Sequence, residues 1–233
     1  MKYPKNKYRY DFNAPYYAEI AIENYIYAKK LLYEIEKSKQ YDLDYELEKK
    51  KSIVITFSAM AIESFLNDYG AACIGDSNYY ECYDSLNLQN KFQLIVQLIL
   101  RKPFQKNREP YGLLSKLIKN RNNLVHNKSI DSEIINNKLP QLDNLLPGAT
   151  GEKVDLEKFD EIILTETKKS FVKATDAIRA LIQLVNFFEI NEITTSSCER
   201  MFAKYTLCLV EKTPKSKELQ LLIELGLNVN RFK

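Results

Sequence analysis

Between Ile53 and Tyr69 the chain reads I-V-I-T-F-S-A-M-A-I-E-S-F-L-N-D-Y. Placed at helical intervals of 100°, apolar or small side chains occupy nearly the whole circumference. A helix of this kind has no face to leave in water, so other elements must wrap it on several sides. No sustained period-two alternation and no internal repeat occurs elsewhere, so the wrapping elements are expected to be helices and the fold all-α. One strip of the helix differs. Thr56, Glu63 and Asn67, spaced by seven and four residues, fall within about 40° of each other. A carboxylate on an otherwise buried helix is costly unless paired, so a cation is expected opposite Glu63.

The partner helices are legible from periodicity and caps. Asn13-Ala14-Pro15 predicts the entry of a first helix running to about Ser38, with Ile20, Tyr27, Ala28, Leu31, Leu32 and Ile35 as its stripe. The central helix is predicted from about Leu43 to Cys73. Gly75 to Asp84 reads as a polar and aromatic loop, and Ser85 as the cap of a third helix through Leu100 with a purely structural core face. Pro110 opens a fourth helix on which Leu114, Leu117, Ile118, Leu124 and Val125 make the stripe. From Asn127 to Leu164 the pattern dissolves, and Thr165 is expected to cap a fifth helix. The remainder predicts a short helix near Cys198 to Val210 and another capped at Thr213-Pro214, with Gly226 past its end. The expected organisation is a basic, Tyr-rich arm over 1–13, a helical body over 14–190 with a loop insertion at 128–164, and a helical C-terminal extension over 191–233.

Composition narrows the function classes. Apolar residues at 45% and charged residues at 28% match ordinary globular chains, and a net charge of +3 does not by itself announce a nucleic-acid coat. Cys73, Cys82, Cys198 and Cys208 contain no C-x-x-C pair and are expected to be reduced, mostly buried thiols in a cytoplasmic protein. Only one histidine accompanies them, so no set of soft ligands for structural zinc is present. The N-terminus lacks an apolar signal region and no apolar run reaches membrane-spanning length. No Gly-rich phosphate loop and no acidic metal cluster appears, so neither a metal nor another cofactor is expected. The arm M-K-Y-P-K-N-K-Y-R-Y interleaves cations with rings, a pattern that tracks phosphates and stacks on bases, or simply stays solvated.

The sole histidine lies in K-N-R-N-N-L-V-H-N-K, Lys119 to Lys128. His126 can accept and donate a proton near neutrality, and Arg121 supplies a planar, permanently charged fork suited to phosphate oxygens. Arg121 falls inside the apolar stripe of the fourth helix, whereas Asn122 and His126 share the adjoining flank. An Arg there can snorkel to water. Alternatively it pairs with Glu63, which would resolve two anomalies at once, directly or through Asn67 or a water.

Two stretches together, F-S-A-M-A-I-E-S-F-L-N-D and L-I-K-N-R-N-N-L-V-H-N-K, resemble the HEPN superfamily (higher eukaryotes and prokaryotes nucleotide-binding domain). The family's marker is an Arg followed by a polar residue and then, after four to six positions, a His. Here those are Arg121, Asn122 and His126, with four residues between Arg and His. The resemblance covers about residues 14–190. It implies an up-and-down four-helix bundle, commonly a homodimer whose Arg/His pairs face one cleft. The implied activity is a metal-independent endoribonuclease on single-stranded RNA, acting as a prokaryotic toxin or phage-defence effector with an antitoxin or other partner protein. Arg121, Asn122 and His126 would be catalytic, Glu63 and Asn67 supporting, and Lys119 and Lys128 RNA-binding. The alternative is an inactive module that binds RNA, nucleotide or a protein partner.

Overall fold

A computed structural model describes residues 13–39, 43–125, 156–190, 201–202, 204–205 and 216–229. Among them there are seven α-helices and no strand. They are α1 (Asn13–Ser38), α2 (Asp44–Ile74), α3 (Asp76–Cys82), α4 (Leu88–Leu94), α5 (Tyr111–Val125), α6 (Leu156–Ile190) and α7 (Lys217–Glu224). A π-turn over Ile95–Ile99 continues α4, closed by Leu100 N–H donating to the Ile95 carbonyl at 2.9 Å.

The helix that is apolar all round takes the central place. α2 packs against α1, α6, α5, α3 and α4, and buries fourteen residues from Leu47 to Ala72. α1 lies along it on a spine of small residues. Ala14, Ala18, Ala21 and Ala28 are each fully buried, and side chains this small let two helix backbones approach closely. The seam therefore runs through those alanines with Ile22, Tyr25, Leu31 and Ile35, rather than through Ile20 and Tyr27. Tyr27 faces outward, 47% exposed, with the Lys50 amine 4.9 Å from its ring centroid. The expected stripe held Ala28, Leu31 and Ile35 of this seam but missed Ala14, Ala18 and Ala21, because alanine adds little to a stripe counted by bulk.

At the other end of α2 the core is aromatic. Phe188 of α6 meets Phe65 at 4.8 Å and Tyr69 at 5.3 Å between ring centroids, while Phe187 meets Phe92 of α4 at 5.3 Å. Edge-to-face rings at these spacings add to their area burial. α6 is also tied to the start of α2 by polar side chains. The buried Lys51 amine donates to Ser170 Oγ at 2.6 Å and pairs with Glu48.

Several boundaries differ from the sequence expectation, each for a local reason. The stretch 75–84 holds α3, which shows no apolar stripe because Tyr79 is its single buried residue. α4 starts at Leu88, because Asn87 rather than Ser85 is the cap, its side chain accepting from Asn90 N–H at 2.9 Å. α6 begins at Leu156, nine residues before Thr165, so 156–164 of the expected 128–164 insertion are helical; 126–155 lie outside the described residues. α7 is capped by Ser216, whose hydroxyl accepts from Leu219 N–H at 3.1 Å; Thr213 and Pro214 lie outside the described residues. Beyond residue 190, Met201, Phe202, Leu219, Leu222 and Leu227 join the same buried cluster as the long helices, and Asn186 of α6 donates to the Gly226 carbonyl at 2.8 Å. The residues expected as an extension thus share the main core. Cys82 is exposed and Cys73 half-buried, where burial pushes its thiol up; Cys198 and Cys208 lie outside the described residues.

The docking of α3 depends on one glycine. A Cβ at Gly70 would stand 2.3 Å from Tyr79 Cε2, and the Tyr79 ring is fully buried. Gly to Ala in a helix interior ordinarily gains about 1 kcal/mol, but overpacking a filled site costs about 1–3 kcal/mol. Gly70→Ala is therefore expected to lower stability by about 1 kcal/mol, measured by urea unfolding, where an open site would have produced a gain.

Candidate functional site

α5 carries Arg121 and Asn122, the first two residues of the Arg/His motif. It starts after Pro110, with Leu114 N–H donating to the Pro110 carbonyl at 3.0 Å and Leu113 N–H donating to Glu109 Oε2 at 3.2 Å. These bonds satisfy orphan donors of the first turn. The helix is held by buried Leu113, Leu114 and Leu117 against α2 and α6. Gln89 of α4 donates to Ser115 Oγ at 3.0 Å, and Lys116 pairs with Asp176 of α6 at 3.6 Å.

The last two turns of α5 depart from this anchoring. Leu124 and Val125, expected on the core stripe, are 40% and 53% exposed. The stripe continues in sequence, but α5 outruns the core that its first half fills. Arg121 is half-buried and Asn122 exposed, and Arg121 Nη1 donates to Asn122 Oδ1 at 3.1 Å. Among the described residues no carboxylate lies within ion-pair reach of Arg121. Lys119 is exposed. His126 and Lys128 lie outside the described residues, so the structure brings together Arg121 and Asn122 of the expected catalytic set.

The expected Glu63–Arg121 pair is not made; Glu63 has another cation. Lys91 Nζ of α4 donates to Glu63 Oε1 at 3.4 Å and stands 3.7 Å from Asp84 Oδ1 in the turn after α3. Asn67, expected to support the same pair, accepts instead from the Tyr79 hydroxyl at 3.0 Å. The positive charge expected opposite Glu63 is present, but on the helix read as purely structural. Its signal was available: Lys91 sits one turn after Leu88 and one before Ile95, on the buried side of α4, and is itself 2% exposed. Burial, with Asp84 and Glu63 nearby, also pushes the Tyr79 phenol well above its ordinary range.

This ammonium between two carboxylates makes a stability prediction. Removing one partner of a fully buried pair costs about 3–5 kcal/mol because the charge left behind is buried and unpaired, a penalty that falls on the buried Lys91 more than on the carboxylates, which water reaches. Both carboxylates are about half exposed, so water shares the load and the cost falls. Glu63→Gln is expected to lose about 1–2 kcal/mol in chemical unfolding, and Lys91→Met to lose less. Equal or larger loss in Lys91→Met would place the energy in the ion cluster itself.

Among the described residues no group of three or more His, Cys, Asp or Glu side chains converges to hold a metal ion, and no helix is long and apolar enough to cross a membrane. Comparison with known families, curated proteins and solved structures gives no match to any family model, curated protein or solved structure.

Proposed function

We propose that the chain is a metal-independent endoribonuclease of the HEPN type, cutting single-stranded RNA through Arg121, Asn122 and His126. The observation that carries this reading is the state of Arg121. Arg121 is a half-buried residue at the open end of α5, and Glu63, the carboxylate expected to pair with it, stands instead beside Lys91. Arg121 keeps its charge for something else and shares a hydrogen bond only with the neutral Asn122 amide among the described residues. A phosphate diester supplies the missing anion, and the planar fork suits its oxygens.

The chemistry is internal transesterification. His126 takes the proton from a ribose 2′-hydroxyl, whose oxygen attacks the adjacent phosphorus. The bond from phosphorus to the 5′-oxygen breaks, and that oxygen receives a proton. The products are a 2′,3′-cyclic phosphate and a 5′-hydroxyl. Arg121 stabilises the charge that gathers on the phosphoryl oxygens in the transition state, and Asn122 holds its fork in place. No step calls for a metal ion.

One imidazole per chain gives dimerisation a chemical motive, since the leaving oxygen needs a proton donor. On this reading α1, α2, α5 and α6 would form the four-helix bundle that the resemblance implies, with α3, α4 and α7 as additions. Exposed Leu124 and Val125 give the motif end of α5 an apolar surface for a second copy, which would bring two Arg/His pairs to one groove. A toxin or phage-defence role, with an antitoxin as partner, follows from the same resemblance. The test is cleavage of single-stranded RNA by the full chain in EDTA. RNA retained but uncut would favour the binding-module reading.

A further inference from the structure

We infer that α3 and the turn that follows it, residues 76–86, form a strap that opens and closes over the outer face of α2 as a unit while the rest of the core stays packed. The strap has a hinge at one end. Gly75, between α2 and α3, sits at φ 97°, a conformation that suits glycine and lets the chain leave the helix sharply. It is lightly held along its length. Of the seven residues of α3 only Tyr79 is buried and the other six are exposed, and α3 packs chiefly on α2. An element with so few buried contacts lies at the low end of the local-stability range.

Among the described residues two latches hold it shut, and Asp76 at its start has a partner as well. The Tyr79 ring fills the space over Gly70, and its hydroxyl donates to Asn67 Oδ1. Asp84 reaches the buried Lys91 amine, which Glu63 also contacts. The second latch explains why opening is inexpensive. Lys91 and Glu63 both belong to elements that stay in place, so the ammonium keeps one counter-charge when Asp84 swings away. Opening uncovers Glu63, Asn67 and Gly70, which follow one another at spacings of four and three residues along one face of α2. This inference is independent of the nuclease reading.

Hydrogen exchange on the full chain, followed by mass spectrometry with and without low urea, tests it. The amides of Tyr79, Tyr83 and Asp84, bonded to the Gly75 and Tyr79 carbonyls, are expected to exchange roughly tenfold or more faster than those of α2 between 58 and 69, and with little urea dependence. Asp84→Asn, at an exposed position that leaves the fold intact, should raise exchange in 76–86 severalfold and leave α2 and α6 unchanged. Exchange of 79–84 at the α2 rate with the same urea dependence would overturn the inference. A parallel rise across α2, α3 and α6 in Asp84→Asn would overturn it too, because the strap would then be part of the global unit.

Discussion

Arg121→Ala is expected to lose RNA cleavage altogether while the protein stays folded. The expected loss is at least about a hundredfold in rate, the scale on which removing one charged transition-state stabiliser is felt. Structure alters what stability change should accompany it. On the sequence alone the arginine stem lies inside an apolar stripe and its removal should weaken packing. In the fold that end of α5 is open, with Leu124 and Val125 both substantially exposed and no ion pair on Arg121 among the described residues. The expected stability cost is therefore small, within about 1 kcal/mol. Arg121→Lys separates charge from geometry. It keeps a cation but loses the planar fork, so it should recover little activity if two phosphoryl oxygens are held at once. Measured rates for the three proteins, beside their unfolding midpoints, give the answer. Collapse of the fold in Arg121→Ala would mean that the guanidinium is structural.

Phe188→Ala is expected to produce the largest loss of stability in the chain, about 3–5 kcal/mol, the range for truncating a buried aromatic ring. Phe188 is fully buried and is the ring through which α2, α4 and α6 meet, touching Phe65, Tyr69, Phe92 and Phe187. Few side chains could relax into the space, because its neighbours are stiff rings locked against one another. A domain of this size has about 5–15 kcal/mol in total, so the variant should sit near the edge of folding at room temperature. Urea unfolding of wild type and variant is the check. A loss below about 1 kcal/mol would mean that the aromatic cluster is loosely packed.

How much of this was legible in advance depended on where each residue's energy comes from. Long helices with bulky stripes declared themselves: α2 by its all-round apolar surface, α5 by Leu114 and Leu117, and the body of α6 by the run from Phe171 to Phe188. Ala14, Ala18 and Ala21 of the α1 seam did not, because alanine contributes close approach rather than bulk. α3 was illegible for a related reason, since one tyrosine in seven residues makes no period. The start of α6 was hidden by its charge, although Leu156, Phe159 and Ile163 recur at helical spacing. At the site a cation does stand beside Glu63, but it is Lys91, and it is the lysine rather than the half-exposed carboxylate that is buried. Periodicity places a residue on a face without saying which of two neighbouring helices that face meets, and Lys91 on α4 was the nearer.

That substitution of partners bears directly on function. Had Glu63 taken Arg121, the arginine would have been neutralised in place and the motif helix would have carried a structural pair. With Lys91 there instead, no carboxylate among the described residues pairs with Arg121, and on the proposed reading its charge serves an anionic substrate.

The central claim is that Arg121 and His126 cut RNA without a metal. The most direct test is to incubate purified wild type and His126→Ala with a labelled single-stranded RNA in EDTA and to analyse the ends of the products. The account predicts fragments ending in 2′,3′-cyclic phosphate from the wild type and intact RNA from His126→Ala. Cleavage by His126→Ala at the wild-type rate would contradict it, as would wild-type cleavage that stops in EDTA.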